Sequence, residues 1–154
     1  MKLRSATASD FAALSRLHKA CFAEGWDERA LLDLAASGAR AKIAERSGRI
    51  AGFILFRTAA DESEILTLAV GPGERRSGLG RSLVRSAAQE AARAGAARLF
   101  LEVGANNAAA RALYADLGFR EAGLRKGYYR AAGAAPEDAL ILSLPLSGLG
   151  KASL

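Results

Sequence analysis

One passage constrains the architecture of this chain more than any other. Residues Ile65-Leu66-Thr67-Leu68-Ala69-Val70 run into Gly71-Pro72-Gly73-Glu74-Arg75-Arg76-Ser77-Gly78-Leu79-Gly80-Arg81-Ser82-Leu83. The first six are apolar enough for a buried strand. From Leu79 onward Leu83, Ala87 and Ala91 recur every fourth residue, with Val84 and Ala88 beside them, which predicts a helix with a core-facing stripe. The glycine-rich bend between the two aims unpaired backbone N–H groups at one point, where the helix dipole also favours negative charge. Such a bend is a site for an anion, most often a phosphate. Arg75, Arg76 and Arg81 add positive charge beside it.

Two common phosphate-binding patterns do not fit. A nucleoside-triphosphate loop, G-x-x-x-x-G-K-[ST], needs a glycine where Arg75 stands and a lysine where Arg81 stands. A dinucleotide fingerprint, G-x-G-x-x-G, needs a third glycine where Leu83 stands. The bend therefore holds a phosphate-bearing ligand of another class, or is a plain strand-to-helix turn with solvated arginines.

The remainder of the chain narrows the choice. At 154 residues, 51% apolar and 25% charged, it has the size and balance of one soluble domain with its own core. No apolar run is long enough to cross a bilayer and no signal-peptide core is evident, so a cytoplasmic location is expected. Cys21 is the only cysteine, which leaves no intrachain disulfide and no cysteine metal site. The net charge of +6 favours polyanionic ligands or surroundings. Its arginines are dispersed rather than gathered with aromatics, so direct nucleic-acid binding is not expected.

Periodicity predicts a strand at 2–6, then a helix announced by Thr7 and Asp10 and carrying Phe11, Leu14, Leu17, His18 and Cys21. A second helix starts near Asp27, buries Ala30, Leu31, Leu34 and Ala35, and stops at Gly38. Strands at 41–45 and 50–58 flank a hairpin loop, and a third strand covers 64–70. After the long helix, which ends at Gly95, come a strand at 98–103 and a helix at 106–117 closed by Gly118. Strands at 119–129 and 138–144, joined by an Ala/Gly/Pro connection, complete the order. This order implies one α/β (α+β) domain over 1–146 around a mixed, largely antiparallel sheet, with a tail at 147–154.

In the strand at 98–103, alternation puts Leu99, Leu101 and Val103 on one face and Phe100 and Glu102 on the other. A carboxylate in such a run has an ion-pair partner, or its pKa rises towards that of a general base. Taken alone, Asn106 and Asn107 suit a helix cap and Tyr114 suits a half-buried core position.

Arg75-x-x-Gly78-x-Gly80 resembles the acetyl-coenzyme A signature of the GNAT family of N-acetyltransferases. The block from Leu101-Glu102-Val103 through Asn107, Ala110 and Leu113-Tyr114 to Leu117-Gly118-Phe119 is similar to one in the family's RimI-type subgroup, which acetylates the N-terminal alanine of a small-subunit ribosomal protein. Phe22 to Glu28, with Trp26, resembles the subgroup's acceptor loop; Gly123 to Tyr129 and Asp138-Ala139-Leu140 resemble its last two strands. The likeness covers nearly the whole chain. It implies the GNAT fold and direct acetyl transfer from acetyl-coenzyme A to a protein N-terminus, with no metal.

On this likeness Glu102 is the general base and Tyr114 the general acid. Leu68, Ala69, Val70, Arg75, Arg76, Ser77, Gly78, Leu79, Gly80, Arg81, Ser82, Asn107 and Ala110 hold the cofactor, and Trp26, Tyr128 and Tyr129 meet the acceptor. His18 is expected to pack or hydrogen-bond without a catalytic role, and Cys21 to take no part. The protein is expected to be a monomer or weak homodimer that binds neither nucleic acid nor membrane. Three departures bear on the acceptor: Gly104 where the subgroup commonly has arginine, Gly25 where proline precedes Trp26, and Arg130 where proline follows the paired tyrosines. A lysine or small-amine acceptor, or a coenzyme A-binding module without chemistry, are the alternatives.

Overall fold

A computed structural model describes residues 1–129 and 135–147. In chain order it has β1 (Lys2–Ser5), α1 (Phe11–Cys21), α2 (Glu28–Ala36), β2 (Arg40–Arg46), β3 (Arg49–Ala59), β4 (Glu62–Val70), α3 (Leu79–Arg93), β5 (Arg98–Gly104), α4 (Ala108–Asp116), β6 (Arg120–Tyr129) and β7 (Glu137–Pro145). Short 3₁₀ turns at Ala8–Asp10 and Pro72–Glu74 lead towards α1 and α3. The seven strands form one sheet in the order β1-β2-β3-β4-β5-β7-β6. Every pairing is antiparallel except β4 with β5. This is the mixed, largely antiparallel α/β sandwich that the order of elements implies.

The sequence explains the layers. From Ala51 to Phe56 β3 is buried throughout, because helices cover both faces of the sheet. Phe53 and Leu55 point to one side and pack with Phe11, Leu14, Leu31 and Ile43 beneath α1 and α2. Ile54 and Phe56 point to the other and meet Leu79, Leu83, Val84, Leu99 and Leu101 beneath α3. Each of these large side chains contributes about 1.5–3 kcal/mol on leaving water. The stripe expected on α3 is therefore the floor of one core.

Local chemistry sets the element ends. The Asp27 carboxylate accepts from the Ala30 N–H at 2.8 Å and caps α2. At the start of α1 the Asp10 carboxylate accepts from the Thr7 N–H at 2.8 Å and pairs with Arg4 at 2.9 Å. The Arg4 guanidinium and that N–H hold the Asp10 carboxyl well below the usual carboxylate range. Arg4 also pairs with Glu45, so one side chain ties β1, α1 and β2. The hairpin between β2 and β3 turns on Ser47 and Gly48, at φ of 54° and 75°. Helix α4 begins two residues later than the spacing predicts, because Asn107 caps it rather than joining it.

One irregularity in the sheet positions the site. β4 and β5 pair only at Glu62↔Arg98, Ser63↔Leu99 and Glu64↔Phe100. Beyond that the strands part. On its other edge β4 carries a bulge: Leu55 faces Thr67 and Phe56 faces Ile65, which leaves Leu66 as the extra residue. A bulge bends and twists its strand, and here it lies at the point where β4 leaves β5. The tail expected at 147–154 is described only at Ser147, and most of the Ala/Gly/Pro connection, Arg130 included, lies outside the described residues. Among the described residues no helix is long and apolar enough to cross a membrane.

Candidate active site

The parting of β4 from β5 opens two adjoining spaces. One is a cleft of about 940 Å³ over the start of α3, lined by Leu68, Ala69, Val70, Arg75, Arg76, Gly78, Leu79, Gly80, Arg81, Asn107 and Ala110, among others. The other is a cavity of about 440 Å³ between the strands, lined by Thr67, Glu102, Gly104, Tyr114, Tyr129 and Glu137, among others. Phe22, Leu68, Asn107, Ala110 and Leu113 line both, so the two spaces share a wall. Volumes of this size suit small ligands.

The cleft ends on the glycine bend that opens α3. Gly78 precedes α3 at φ +79°, a left-handed conformation that costs an ordinary residue about 1–2 kcal/mol. The first rung of α3 runs from the Ser82 N–H to the Gly78 carbonyl at 3.1 Å. The N–H groups of Leu79, Gly80 and Arg81 come before it and have no such carbonyl to reach. Gly80 serves differently: its backbone is ordinary, and a Cβ there would point towards Val70, Leu113 and Leu68 at 3.6–3.9 Å. It keeps the wall of the cleft low.

The three arginines are not equivalent. The Arg75 Nε–H donates to the Val70 carbonyl at 3.4 Å, Arg81 pairs with Asp116 of α4 at 3.1 Å, and Arg76 has no ion pair among the described residues. Of the residues expected to hold a cofactor, Ser77 and Ser82 do not line the cleft; the Ser77 hydroxyl donates to the Glu74 carbonyl at 2.6 Å. Asn107 caps α4 and borders both spaces: its Oδ1 accepts from the Ala110 N–H at 3.2 Å, and the residue lies on the wall shared by cleft and cavity.

In the cavity, alternation along β5 buries Leu99, Leu101 and Val103 and leaves Glu102 half-buried on the opposite face. The carboxylate has a partner: Arg125 of β6 approaches it at 3.3 Å across β7. The Arg125 guanidinium also lies 4.9 Å from the centre of the Tyr128 ring. Tyr128 is thereby engaged outside the cavity, whereas Tyr129 lines it. Burial first, then the charge of Glu102 and lesser neighbours, push the Tyr129 phenol up from its ordinary value. The buried Tyr114 phenol is pushed up to about 12 by desolvation, so it keeps its proton at neutral pH.

Trp26 does not reach the cavity. Its ring stacks on His18, with centroids 4.8 Å apart, and Phe22 of the same turn lines the space instead. One departure from the subgroup pattern has a steric explanation. A Cβ at Gly25 would meet the Lys19 Cα at 2.4 Å, because the turn presses against α1. At Gly104 the neighbour is the movable end of a side chain, the Glu137 carboxylate, whose Oε2 accepts from the Asn106 N–H at 2.7 Å. Glu137 and Thr67 are cavity residues that the motifs did not single out, and Phe22 is present there as the first residue of the acceptor-loop motif. The run Glu137-Asp138-Ala139-Leu140 held the only sequence signal for Glu137. Among the described residues no group of three or more His, Cys, Asp or Glu is placed to hold a metal ion.

Comparison with known proteins agrees with this geometry. The pattern of the Acetyltransferase (GNAT) family matches residues 11–119. A ribosomal protein bS18-alanine N-acetyltransferase of Escherichia coli strain K12 is 43% identical over 102 residues, 66% of this chain and 68% of that protein. The Haemophilus ducreyi protein of the same name is 30% identical over 138 residues, 89% of this chain and 94% of its own. The crystal structure of the Escherichia coli ribosomal-protein-alanine enzyme superposes with a TM-score of 0.88 at 34% identity, covering 95% of this chain and 94% of the other. A parted sheet, a cleft opening on a glycine bend and a sequence match across most of the chain lead to one assignment: this protein belongs to the GNAT family of acetyltransferases.

Proposed function

We propose that this protein transfers an acetyl group from acetyl-coenzyme A directly to the N-terminal α-amine of a protein. Its similarity to the bS18-alanine enzymes favours a ribosomal protein beginning with alanine as the acceptor. The observation that carries this reading is the shared wall: an anion cleft opens, past Asn107 and Leu113, onto a cavity holding Glu102 and Tyr114.

The donor fits the residues present. The N–H groups opening α3, with Arg75 and Arg76, hold the diphosphate, and Asn107 and Ala110 border the path of the pantetheine arm. Bound there, acetyl-coenzyme A supplies a thioester whose carbonyl an amine can attack. An α-ammonium has a pKa of about 7.7–8.0, so only modest help is needed to deprotonate it near neutrality. Glu102 accepts that proton. Backbone N–H groups on the freed edge of β4 stabilise the negative charge that builds on the acetyl oxygen.

As the C–N bond forms and the C–S bond breaks, Tyr114 serves the departing sulfur. With the phenol pushed up to about 12 and an ordinary thiol near 8.5, transfer of its proton ahead of bond cleavage runs uphill. Tyr114 therefore donates a hydrogen bond that strengthens as charge develops on the sulfur, and the second proton shed by the attacking nitrogen as the amide forms balances the one the thiolate takes up. The protein works as a monomer or weak homodimer in the cytoplasm, where free amino termini of ribosomal proteins are made.

The test is thiol release from acetyl-coenzyme A with alanine-starting peptides copied from small-subunit ribosomal proteins. Turnover with these, and mass spectrometry placing the acetyl group on the α-nitrogen, is expected. Turnover confined to lysine side chains or small amines, or coenzyme A binding without turnover, would overturn the reading.

A further inference from the structure

Four polar side chains are buried among the described residues: Ser15, His18, Ser63 and Ser143. Two of them serve a single residue. Ser15 and His18 are three apart on α1 and so share a face. The Ser15 hydroxyl donates to the Trp26 carbonyl at 2.8 Å, and the Trp26 N–H donates to His18 Nδ1 at 3.0 Å. Both backbone polar groups of Trp26 are thus fixed by side chains of one helix.

The ring of His18 carries the connection further. With Nδ1 accepting, the neutral imidazole bears its proton on Nε2, which donates to Thr67 Oγ1 of β4 at 2.9 Å. The same ring packs on Phe22, with centroids 4.5 Å apart. His18 lines neither space, yet Phe22 and Thr67 both line the cavity that holds Glu102 and Tyr114. Gly25 makes the arrangement tight, since no side chain fits between the turn and Lys19.

We infer that His18 is a positioning residue for the acceptor: it holds turn 22–27 against α1 and ties it to β4, and so sets Phe22 and Thr67 in the cavity wall. This inference rests on the reading that the acceptor amine enters that cavity. Phe22 also borders the cleft, but the glycine bend and the arginines of that cleft stand at the start of α3, which the ring does not touch, so the contribution of His18 falls mainly on the acceptor side of the reaction.

The two arms can be cut separately. In His18→Asn the side-chain oxygen sits where Nδ1 was and keeps the Trp26 bond; in His18→Gln the amide nitrogen sits near Nε2 and keeps the Thr67 bond. His18→Ala loses both. Steady-state kinetics with the alanine peptide should show acceptor KM raised about tenfold in His18→Ala and about threefold in each single-arm variant, the loss expected for one or two modest hydrogen bonds. Values of kcat should stay within about threefold, and the Kd for coenzyme A, by calorimetry, should not change. Thr67→Val, which cuts the far end without touching α1, should match His18→Asn.

Acceptor KM within twofold of wild type in folded His18→Ala and Thr67→Val would overturn the inference. So would a loss of kcat, KM and coenzyme A affinity in proportion to a falling folded fraction, the mark of a purely structural histidine. Where His18→Ala does not fold, the Asn, Gln and Thr67 variants decide. Wild-type protein that releases no thiol with any peptide would instead sink the acceptor reading itself, and this inference with it.

Discussion

Burial acts on Tyr114 and His18 in opposite directions and to the same end. Desolvation penalises the charged form of any group, so it raises the phenol and lowers the imidazole, leaving both neutral near pH 7. For Tyr114 the hydroxyl is the only atom that the reaction uses. Tyr114→Phe should keep the ring's packing on Phe119 and its coenzyme A affinity. Its kcat should fall by about 10²-fold or more, the range of general-acid assistance; an equal loss in kcat and in calorimetric affinity would remove Tyr114 from the chemistry. For His18 the consequence is a pH dependence of stability. Its folded pKa lies below the ordinary 6.5, so the unfolded chain takes up the proton first as pH falls. The stabilisation is complete above about 6.5 and is lost as pH falls from there towards the lowered folded value. Denaturant titrations of wild type and His18→Gln should therefore converge over that interval, and parallel curves would contradict the shift. Glu102 shows what sequence can and cannot say at this scale. Its face on β5 follows from alternation alone, but its partner Arg125 lies two strands away, with β7 between them. Local pattern holds no record of such a register.

Among the elements, those governed by local chemistry were legible and those governed by partners were not. Asp27 caps α2, and Gly38, Gly95 and Gly118 follow their helices at φ of 107°, 97° and 100°. Each of these is written within a few residues. The parting of β4 and β5 is not, because it depends on a three-position parallel contact and a bulge against β3. The glycines of the anion bend were legible as a pair but differ in kind, and substitution should separate them. Gly78→Ala forces a left-handed alanine, which should cost about 1–2 kcal/mol of stability in thermal melts and weaken coenzyme A binding. Gly80→Ala adds a methyl at ordinary contact distance, so the fold should be unaffected. Gly80→Leu should also fold, yet fill the cleft and abolish binding. Binding by Gly80→Leu at wild-type affinity would place the diphosphate elsewhere.

Across the whole molecule, the two cores lie on opposite faces of a sheet that is continuous through β3 but parted between β4 and β5. The residues lining the cleft come from α1, β4, α3 and α4, so a ligand seated there joins elements that the sheet alone leaves apart. Binding to the folded state alone stabilises it by about 2.7 kcal/mol at a hundredfold excess over Kd. For a chain of this size that should raise the melting temperature by about 5–10 °C. The anchor proposed for the donor is its phosphates, so pantetheine, which has the thiol arm without them, should give little of this shift at the same concentration. The coenzyme A shift should also shrink as salt rises from 0.05 to 0.5 M (on the order of a threefold shorter screening length), since Arg75 and Arg76 meet the diphosphate at an exposed surface. Equal stabilisation by pantetheine and coenzyme A, with no salt dependence, would mean that the thiol arm carries the affinity. The glycine bend at α3 would then be a turn and nothing more.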